Sequence, residues 1–279
     1  MPPSPIRKLK PYDDRAAAAG RTVYHLNIGQ PDIETPPQML EVLKNIGTKI
    51  IGYGPSQGIP KHQDALIKYY AKHNIKLGRE NIIVTTGGSE AIIMAFTVCL
   101  NAGDEVLIPE PFYTNYNGFA TATDVKVVPI TTRLENDWEI PSVSEIEKLV
   151  TDKTKAIMIC NPNNPTGKVY SRNELAKIVE LAIKKDLFIF ADEVYREFIF
   201  SDDKHESLLS FEEAKDRVVM MDSISKRFSS CGARIGAFIS YNCDIMKAAL
   251  AYGQARLCPP TIDQIMAVKS VDLNEDYYK

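Results

Sequence analysis

The chain has 279 residues, of which 44% are hydrophobic and 25% are charged, with a formal net charge of -3 and a pI of about 5.9. This composition is typical of a globular protein with a substantial core, and it excludes extended disorder. The slightly acidic charge gives nucleic acids and anionic membranes no electrostatic attraction, so we expect small-molecule partners.

Apolar runs typical of strands alternate with amphipathic stretches typical of helices. In chain order, strands are predicted over 82–85, 106–109, 126–130, 156–160, 187–191, 218–221 and 237–240, and helices over 63–73, 90–100, 142–150, 172–184 and 245–253. This alternation predicts an α/β fold, with a mostly parallel sheet covered by helices on both faces in three α/β/α layers. Ligands of such sheets bind beyond the carboxyl ends of the strands, so chemistry is expected in strand-to-helix turns.

The first such turn reads TGGSEA over residues 86–91, directly before an apolar helix. Glycines let the backbone approach an anion, and the free N–H groups of a helix start attract phosphate, so Gly88 and Ser89 are candidate phosphate ligands. The turn taken alone is explained equally well by a tight bend with Ser89 as the helix cap.

Other common phosphate and metal sites are not supported by the residue spacing. The sequence has no G-x-G-x-x-G motif, and Pro162 stands where a P-loop ending at Gly167 and Lys168 requires its first glycine. No pair of the four histidines has the His-Glu-x-x-His spacing of a zinc hydrolase, so no metal site is expected.

Three later turns carry further polar residues. The sequence NPNNPTG follows the strand at 156–160, DEVY follows the strand at 187–191, and SISK follows the strand at 218–221. Each has a plain structural explanation: a proline-rich loop, a helix cap at Asp192 and a solvated lysine at Lys226. Lys226 differs from an ordinary surface lysine because it follows an apolar strand, lies between small hydroxyl residues and precedes Arg234.

The ordered set of these segments resembles the class I/II aminotransferases of fold type I, the aspartate aminotransferase group. The matching motifs are LNIGQPD at 26–32, YGP at 53–55, GS at 88–89, PFY at 111–113, NPTG at 164–167, DEVY at 192–195, SISK at 223–226 and GARIG at 232–236. The resemblance implies the fold of that group, pyridoxal 5′-phosphate as cofactor, and a pyridoxal-phosphate-dependent aminotransferase activity.

The resemblance also assigns roles around the cofactor ring. Lys226 is implied to form the Schiff base and then to move the proton, and Asp192 to keep the pyridine nitrogen protonated. Asn164 and Tyr195 are implied to donate hydrogen bonds to the ring oxygen. Lys226, Asp192 and Tyr195 are therefore the expected catalytic residues.

The remaining implied contacts concern the phosphate, the ring face and the substrate. Ser223 and Arg234 are implied to hold the phosphate with Gly88 and Ser89, while Ser225 either contributes or only packs. Tyr113 is implied to stack on the ring, with Phe112 as the alternative one position away. Gly29 and Asn164 are the expected substrate contacts.

A homodimer is also implied, with Tyr53 contributed across the interface to the partner's cofactor phosphate. The expected organisation is an N-terminal arm and small-domain segment over 1–45, a large cofactor-binding domain over 46–250, and over 251–279 the start of a connection to a small domain. In the family, that domain holds an arginine for the substrate α-carboxylate. It is expected to be mostly missing here, as in a truncated chain or gene fragment, because the chain ends at Lys279 within an apparently helical stretch. Arg256 is interpreted as a surface charge.

The cysteines are scattered without Cys-x-x-Cys spacing and are expected to be reduced: Cys99, Cys160, Cys231, Cys243 and Cys258. Residues 1–20 lack the apolar core of a signal peptide, and no apolar run is long enough to span a bilayer. We therefore expect a cytoplasmic enzyme with amino-acid and 2-oxo-acid substrates and no nucleic-acid or membrane partner.

The leading functional hypothesis is transfer of an amino group from an L-amino acid, with aspartate favoured, to a 2-oxo acid such as 2-oxoglutarate. Two alternatives stay open. One is a β-lyase or synthase that uses the same cofactor and fold. The other is a catalytically silent fragment that binds pyridoxal phosphate, because the carboxylate-binding arginine of the family is not found in the sequence.

Overall fold

The computed structural model describes residues 6–47, 49–273 and 277, with only the backbone for residue 272. In this part of the chain a seven-stranded sheet has the order β1-β7-β6-β5-β4-β2-β3. The strands are β1 (Ile82–Thr85), β2 (Glu105–Glu110), β3 (Lys126–Thr131), β4 (Thr154–Cys160), β5 (Phe188–Asp192), β6 (Val218–Ser223) and β7 (Gly236–Ile239). Only β7 runs antiparallel to its neighbours, so the prediction of a mostly parallel sheet is confirmed.

Helices lie on both faces of this sheet. The helices of the described residues are α1 (Lys10–Ala18), α2 (Pro37–Lys44), α3 (Pro60–Lys72), α4 (Gly87–Cys99), α5 (Asn115–Ala122), α6 (Val143–Glu147), α7 (Arg172–Lys185), α8 (Ile224–Arg227), α9 (Cys243–Ala255) and α10 (Thr261–Ala267). Helix α7 begins with a capping box, in which the Ser171 hydroxyl accepts from the Glu174 N–H and the Glu174 carboxylate accepts from the Ser171 N–H. The sequence pattern Ser-x-x-Glu thus fixes where this helix starts.

Two apolar cores separate the three layers. Alternate side chains of β4 point to opposite faces: Ile157 and Ile159 join the core beneath α3 and α7, and Ala156 and Met158 join the core beneath α4 and α9. Burial on both faces explains why β4 reads as a continuous apolar run instead of an alternating one. The three-layer α/β/α prediction is confirmed.

The carboxyl ends of the central strands bring the predicted turns together. Cys160 at the end of β4 pairs with Asp192 at the end of β5, and Asp192 pairs with Met221 near the end of β6. The turns that begin at Asn161, Glu193 and Ile224 therefore leave the sheet side by side, which places the candidate residues at one edge.

All predicted strands are found, with ends shifted by no more than two residues. The helices that were not predicted are α1, α2, α5, α8 and α10. The described residues contain no helix that is both long enough and apolar enough to cross a bilayer. The helical stretch expected at the chain end includes Tyr278 and Lys279, which lie outside the described residues.

The interpretation of Arg256 as a surface charge is wrong. Its side chain is 14% exposed, and its Nε lies 3.1 Å from the carboxylate of Glu90 on α4. Its Nη2 donates to the backbone oxygen of Val84 at 2.6 Å and to that of Ser56 at 3.1 Å. Arg256 thus ties the end of α9 to the start of α4, which leaves it committed to structural contacts.

Candidate active site

Lys226 lies on α8, a single helical turn directly after β6. Ser223 caps this turn, because its hydroxyl accepts from the backbone N–H of Ser225 at 3.1 Å. The Lys226 Nζ donates to the backbone oxygen of Gly29 and lies 5.9 Å from the centre of the Tyr195 ring. The amine therefore projects into a space bounded by the turn after β5 and the segment around Gly29.

Tyr195 and Asn164 meet in the same space. Asn164 Nδ2 donates to the Tyr195 hydroxyl at 3.3 Å, which joins the turns after β4 and β5. A Cβ added at Gly29 would lie 3.3 Å from that hydroxyl, so glycine allows this close approach. Burial raises the pKa of the Tyr195 phenol above its usual value, so the phenol stays protonated and can donate a hydrogen bond.

Asp192 is the last residue of β5 and is only 7% exposed. Its carboxylate accepts from the Tyr116 hydroxyl at 2.6 Å and from the Val194 N–H at 3.3 Å. Burial raises the pKa of Asp192 to about 6, against the opposing effect of these hydrogen bonds. A buried carboxylate with a raised pKa is a group suited to a cationic partner.

Phe112 and Tyr113 both flank the tyrosine that holds Asp192. Tyr113 meets Tyr116 edge to face with ring centres 5.4 Å apart, and Phe112 stacks on Tyr116 at 6.2 Å. The Tyr113 hydroxyl accepts from Asn115 Nδ2 at 2.6 Å. Since both rings lie at the Asp192 side of the site, the choice of Tyr113 as the stacking ring stays a prediction.

The predicted phosphate ligands lie together at the start of α4. Gly87 has a φ of 73°, and a Cβ added there would stand 2.2 Å from Arg234 Nη2. Arg234 also has a left-handed φ of 54°, a conformation that costs a non-glycine residue about 1–3 kcal/mol. Ser223 lies beside them, because a Cβ added at Gly88 would be 3.7 Å from Ser223 Cβ.

The hydroxyl of Ser223 is already engaged within its own turn. It lies 2.7 Å from the Ser225 hydroxyl and donates to the Ile235 backbone oxygen at 2.9 Å. The Ser225 hydroxyl therefore belongs to the same hydrogen-bond network as the Ser223 hydroxyl. Ser89 is in the first turn of α4, where backbone N–H groups have no partner within the helix and can bind an anion.

Tyr53 occupies a different position from the other predicted residues. Its side chain is 83% exposed, and it lines an open cleft of about 610 Å³ together with Thr86, Cys258 and Thr261. Thr86 directly precedes α4, so this cleft adjoins the candidate phosphate site from the outside. Tyr53 is thus accessible to a second molecule.

Two residues of the site were not predicted from the sequence. Tyr116 orients Asp192 from α5, a helix with weak amphipathic character that the sequence pattern did not reveal. Gly87 accommodates the Arg234 guanidinium, and its positive φ is the backbone feature that requires glycine there. The glycine pair at 87–88 was the available signal, although only its second member was assigned a contact.

The residues present fit pyridoxal phosphate. The site combines a primary amine at Lys226, a buried carboxylate at Asp192, a phenol and an amide at Tyr195 and Asn164, and an anion cradle beside Arg234. A methyl group at position 87 would fill the space of the Arg234 guanidinium, so the backbone there is kept open for that group. In this order, these groups are suited to the aldehyde, the ring nitrogen, the ring oxygen and the phosphate of pyridoxal phosphate.

Comparison with known proteins gives a consistent result. The family model for aminotransferases of class I and II matches residues 21–277. The chain is 35% identical to an aspartate aminotransferase of Pyrococcus abyssi and 34% identical to aromatic-amino-acid aminotransferase 2 of Thermococcus litoralis. Each match extends over 272 residues, 96% of this chain and 69% of the relative. The chain thus spans about two thirds of the length of these curated relatives.

Solved structures give the same picture. An aspartate aminotransferase from Thermotoga maritima superposes with a TM-score of 0.92 at 30% identity, covering 99% of this chain and 74% of that one. An alanine aminotransferase from Pyrococcus furiosus superposes with a TM-score of 0.90 at 31% identity, covering 98% and 71%. Sequence and fold therefore point to the same group of proteins.

Proposed function

Since the chain belongs to the aminotransferase class I and II family and is a pyridoxal-phosphate-dependent aminotransferase, we propose that it moves an amino group from an aspartate-like L-amino acid to a 2-oxo acid such as 2-oxoglutarate. The observation that supports the site assignment is the meeting of Lys226, Gly29, Tyr195 and Asn164 beyond the carboxyl ends of the central strands. When bound, the cofactor supplies an electron-withdrawing ring that stabilises the charge left at the substrate α-carbon after proton loss.

Lys226 is the proposed attachment point and proton carrier. Its Nζ is within hydrogen-bond reach of the Gly29 oxygen, in the space where we place the substrate. An amine released from the cofactor at this position can accept a proton and return it to a neighbouring carbon without leaving the site. We assign the substrate-side surface of this space to Gly29 and Asn164.

Asp192 is proposed to face the cofactor ring nitrogen. Its raised pKa reflects burial, and a protonated ring nitrogen beside it would favour the charged form of the carboxylate. The hydrogen bond from Tyr116 holds the carboxylate in one orientation. Asn164 and Tyr195 are proposed to donate to the ring oxygen, and Tyr113 to stack on the ring face.

The phosphate is proposed to lie between Arg234, Ser223 and the start of α4 at Gly88 and Ser89. A guanidinium offers paired donors to phosphate oxygens, and the helix N-terminus adds backbone N–H groups and a favourable dipole. The left-handed Arg234 and the adjacent Gly87 support this placement, because both conformations bring the guanidinium against the backbone of the turn.

The preference for an aspartate-like donor is inferred from relatives of the chain. It is supported by the Pyrococcus abyssi and Thermotoga maritima proteins, which are named aspartate aminotransferases. Two other similar proteins are named as an aromatic-amino-acid aminotransferase and an alanine aminotransferase. The test is to supply the cofactor-loaded protein with 2-oxoglutarate and L-aspartate, L-alanine, L-phenylalanine or a cysteine S-conjugate, and to quantify glutamate, pyruvate and ammonia.

We expect glutamate to form with the highest kcat/KM for L-aspartate. A preference for alanine or phenylalanine would contradict the aspartate assignment. Pyruvate and ammonia formed from the S-conjugate without a new amino acid would support the β-lyase alternative. Bound cofactor without turnover of any donor would support the silent-fragment alternative.

A homodimer with a composite site is part of the proposal, with Tyr53 reaching the phosphate of the partner subunit. Support comes from exposed apolar side chains in the N-terminal segments: Tyr24, Leu26, Ile50, Ile51 and Tyr53 are 65–95% exposed. These side chains fall in two short segments of the chain, 24–26 and 50–53, and an exposed apolar patch is typical of an interface. The open cleft lined by Tyr53 and Thr86 adjoins the phosphate site and is consistent with a contact across that interface.

We also propose a location in the cell and a division of the chain into domains. All five cysteines are free in the structure, which supports a reducing cytoplasmic location. We also propose the division into a segment over 1–45, a cofactor-binding domain over 46–250 and a connection over 251–279. Cell fractionation and limited proteolysis test these two assignments.

A further inference from the structure

Four residues of the candidate site each have a buried charged residue as a chain neighbour. The neighbouring pairs are Asp192 with Glu193, Tyr195 with Arg196, Ser223 with Asp222, and Lys226 with Arg227. The four charged neighbours are only 1–4% exposed. The two turns that carry the proposed catalytic residues therefore share a group of buried charged side chains. We call this group, Glu193, Arg196, Asp222 and Arg227, the buried ionic layer.

The first ion pair of this layer joins Asp222 and Arg227 on the turn of the lysine. The Arg227 Nη2 donates to Asp222 Oδ2, and both side chains are 2% exposed. The Tyr70 hydroxyl donates to the same oxygen from α3. The other oxygen, Asp222 Oδ1, accepts from the backbone N–H of Ser223 at 2.7 Å. One carboxylate thus fixes both ends of the short segment that contains Lys226.

The second ion pair joins Glu193 and Arg196 on the turn of Asp192. Both side chains are 1% exposed, and Glu193 Oε1 also accepts from the Ser207 hydroxyl at 2.8 Å. The Arg196 guanidinium lies 4.8 Å from the centre of the Tyr70 ring. Tyr70 therefore contacts both pairs, through its hydroxyl on one side and its ring on the other.

Stability alone does not explain this layer. Removing two ion pairs from water costs several kcal/mol per ion, and well-packed apolar residues are often as stable. In the described part of the chain, Arg227 Nε and two nitrogens of Arg196 have no hydrogen-bond partner, and an unsatisfied buried donor typically costs about 1–3 kcal/mol. Because this costly arrangement lies next to the candidate site, it points to a role in positioning the residues of that site.

The lysine turn has little to hold it in place by itself. Helix α8 contains four residues, fewer than an isolated helix needs to be stable. Lys226 has a long flexible side chain, so the position of its amine depends on the orientation of this single turn. Arg227 anchors the turn from the buried side while Lys226 projects from the other side toward Gly29.

We propose that Asp222, Arg227 and Tyr70 form a positioning unit that orients the α8 turn so that the Lys226 amine meets the cofactor. This inference rests on the proposed role of Lys226. The unit acts through Lys226 and touches neither cofactor nor substrate. Its loss should slow the formation of the covalent bond at Lys226 while leaving recognition of the ring and phosphate nearly intact.

The test separates covalent capture from recognition. In capture, the Lys226 nitrogen bonds to the aldehyde carbon of pyridoxal phosphate and the aldehyde oxygen leaves as water, without a change of oxidation state. The rate is measured in cofactor-free protein by quenching with borohydride at timed intervals and locating the reduced adduct by peptide mass spectrometry. Recognition is measured as the Kd of pyridoxamine 5′-phosphate, which has the same ring and phosphate but no aldehyde.

The variants are Arg227→Met, Arg227→Lys and Asp222→Asn, with Glu105→Gln as matched control. Glu105 is also a buried carboxylate with an ion-pair partner. It lies at the amino end of β2, whereas the candidate site lies beyond the carboxyl ends of the strands. In Asp222→Asn the side-chain oxygen can still accept from the backbone N–H of Ser223. The hydrogen bond that holds Ser223, a proposed phosphate ligand, is therefore kept.

We expect capture to slow about 10- to 100-fold in Arg227→Met and Asp222→Asn, as for a displaced reactive group. Arg227→Lys should recover part of the rate, the Kd of pyridoxamine phosphate should stay within about threefold, and Glu105→Gln should capture like wild type. If Arg227→Met does not fold, Asp222→Asn and the milder Tyr70→Phe carry the test. Wild-type capture rates in folded variants would overturn the inference, as would equal loss of capture and recognition. Absence of an adduct at Lys226 in the wild type would instead overturn the proposed function.

Discussion

Gly87 and Arg234 are so close that a methyl group at position 87 would stand 2.2 Å from the Arg234 Nη2. Both residues have positive φ angles, of 73° and 54°, a region that glycine adopts freely and that strains a residue with a side chain. The candidate phosphate site is therefore formed by two turns packed against each other. The backbone of one is strained at Arg234, and the other has space for the guanidinium because Gly87 has no Cβ.

The first prediction concerns Gly87→Ala. The added methyl group displaces the Arg234 guanidinium, so we expect the affinity for pyridoxamine phosphate to fall by about tenfold or more, equivalent to about 1.4 kcal/mol of binding free energy. Gly103→Ala is the matched control, because Gly103 has a φ of 83° but no atom within 4 Å of an added Cβ. Both variants should lose a similar backbone contribution to stability, and only Gly87→Ala should lose affinity.

The second prediction tests whether Arg234 binds the phosphate. Arg234→Met removes the guanidinium, and we expect a large loss of affinity for pyridoxamine 5′-phosphate. Pyridoxamine without its phosphate should bind wild type and variant equally weakly, because it lacks the group that Arg234 recognises. Calorimetric titration of the four combinations gives the coupling between residue and phosphate. An equal loss for both ligands would assign Arg234 a structural role only.

The third prediction concerns the pH dependence of stability. His62 on α3 is 1% exposed, and burial lowers its pKa to about 4 from the usual 6.5. Below pH 6.5 the unfolded chain binds a proton at His62 that the folded chain excludes, so stability should fall as pH drops from 6.5 to 4 and then level off. The loss from this residue should be about 3 kcal/mol.

Urea unfolding of wild type and His62→Gln between pH 7 and pH 4 measures this contribution. The variant should show a free energy of unfolding that depends less on pH in this window, whatever its stability at pH 7. Parallel curves for the two proteins would show that His62 titrates normally in the folded state.

The fourth prediction concerns the proposed composite site. Lys226→Ala and Tyr53→Ala subunits should each be impaired as separate homodimers. A mixture that exchanges subunits should regain activity, because one site of each heterodimer combines an intact Lys226 with an intact Tyr53 from the partner. Activity should rise with the extent of exchange followed by differential tagging. Exchange without recovery would show that Tyr53 does not contribute to the partner's site.

Much of the sheet and of the candidate site could be predicted from the sequence. The strands buried on both faces read as short apolar runs, and the carboxyl ends of parallel strands meet at one edge, so residues such as Asp192 and Lys226 could be placed together from their positions after strands. Local pattern and parallel topology predicted this placement, and the resemblance to the aminotransferase family supplied the roles of the residues.

Other features depend on contacts between distant segments and could not be predicted. Arg256 reads as a surface charge, yet Glu90 and the Val84 oxygen bury it. Arg227 was given no role from the sequence, and the fold pairs it with Asp222, which also accepts a hydrogen bond from Tyr70. Burial of a charge is decided by its partners, and a sequence pattern does not reveal which partners will be adjacent.

The central claim is that Lys226 is the residue that bonds to pyridoxal phosphate, and reductive trapping tests it most directly. Purified protein is incubated with pyridoxal phosphate, reduced with borohydride, digested and mapped by mass spectrometry. We predict a single modified peptide carrying the adduct on Lys226, and no specific adduct in Lys226→Ala. A stoichiometric adduct on a different lysine, or one that persists in Lys226→Ala, would contradict the account.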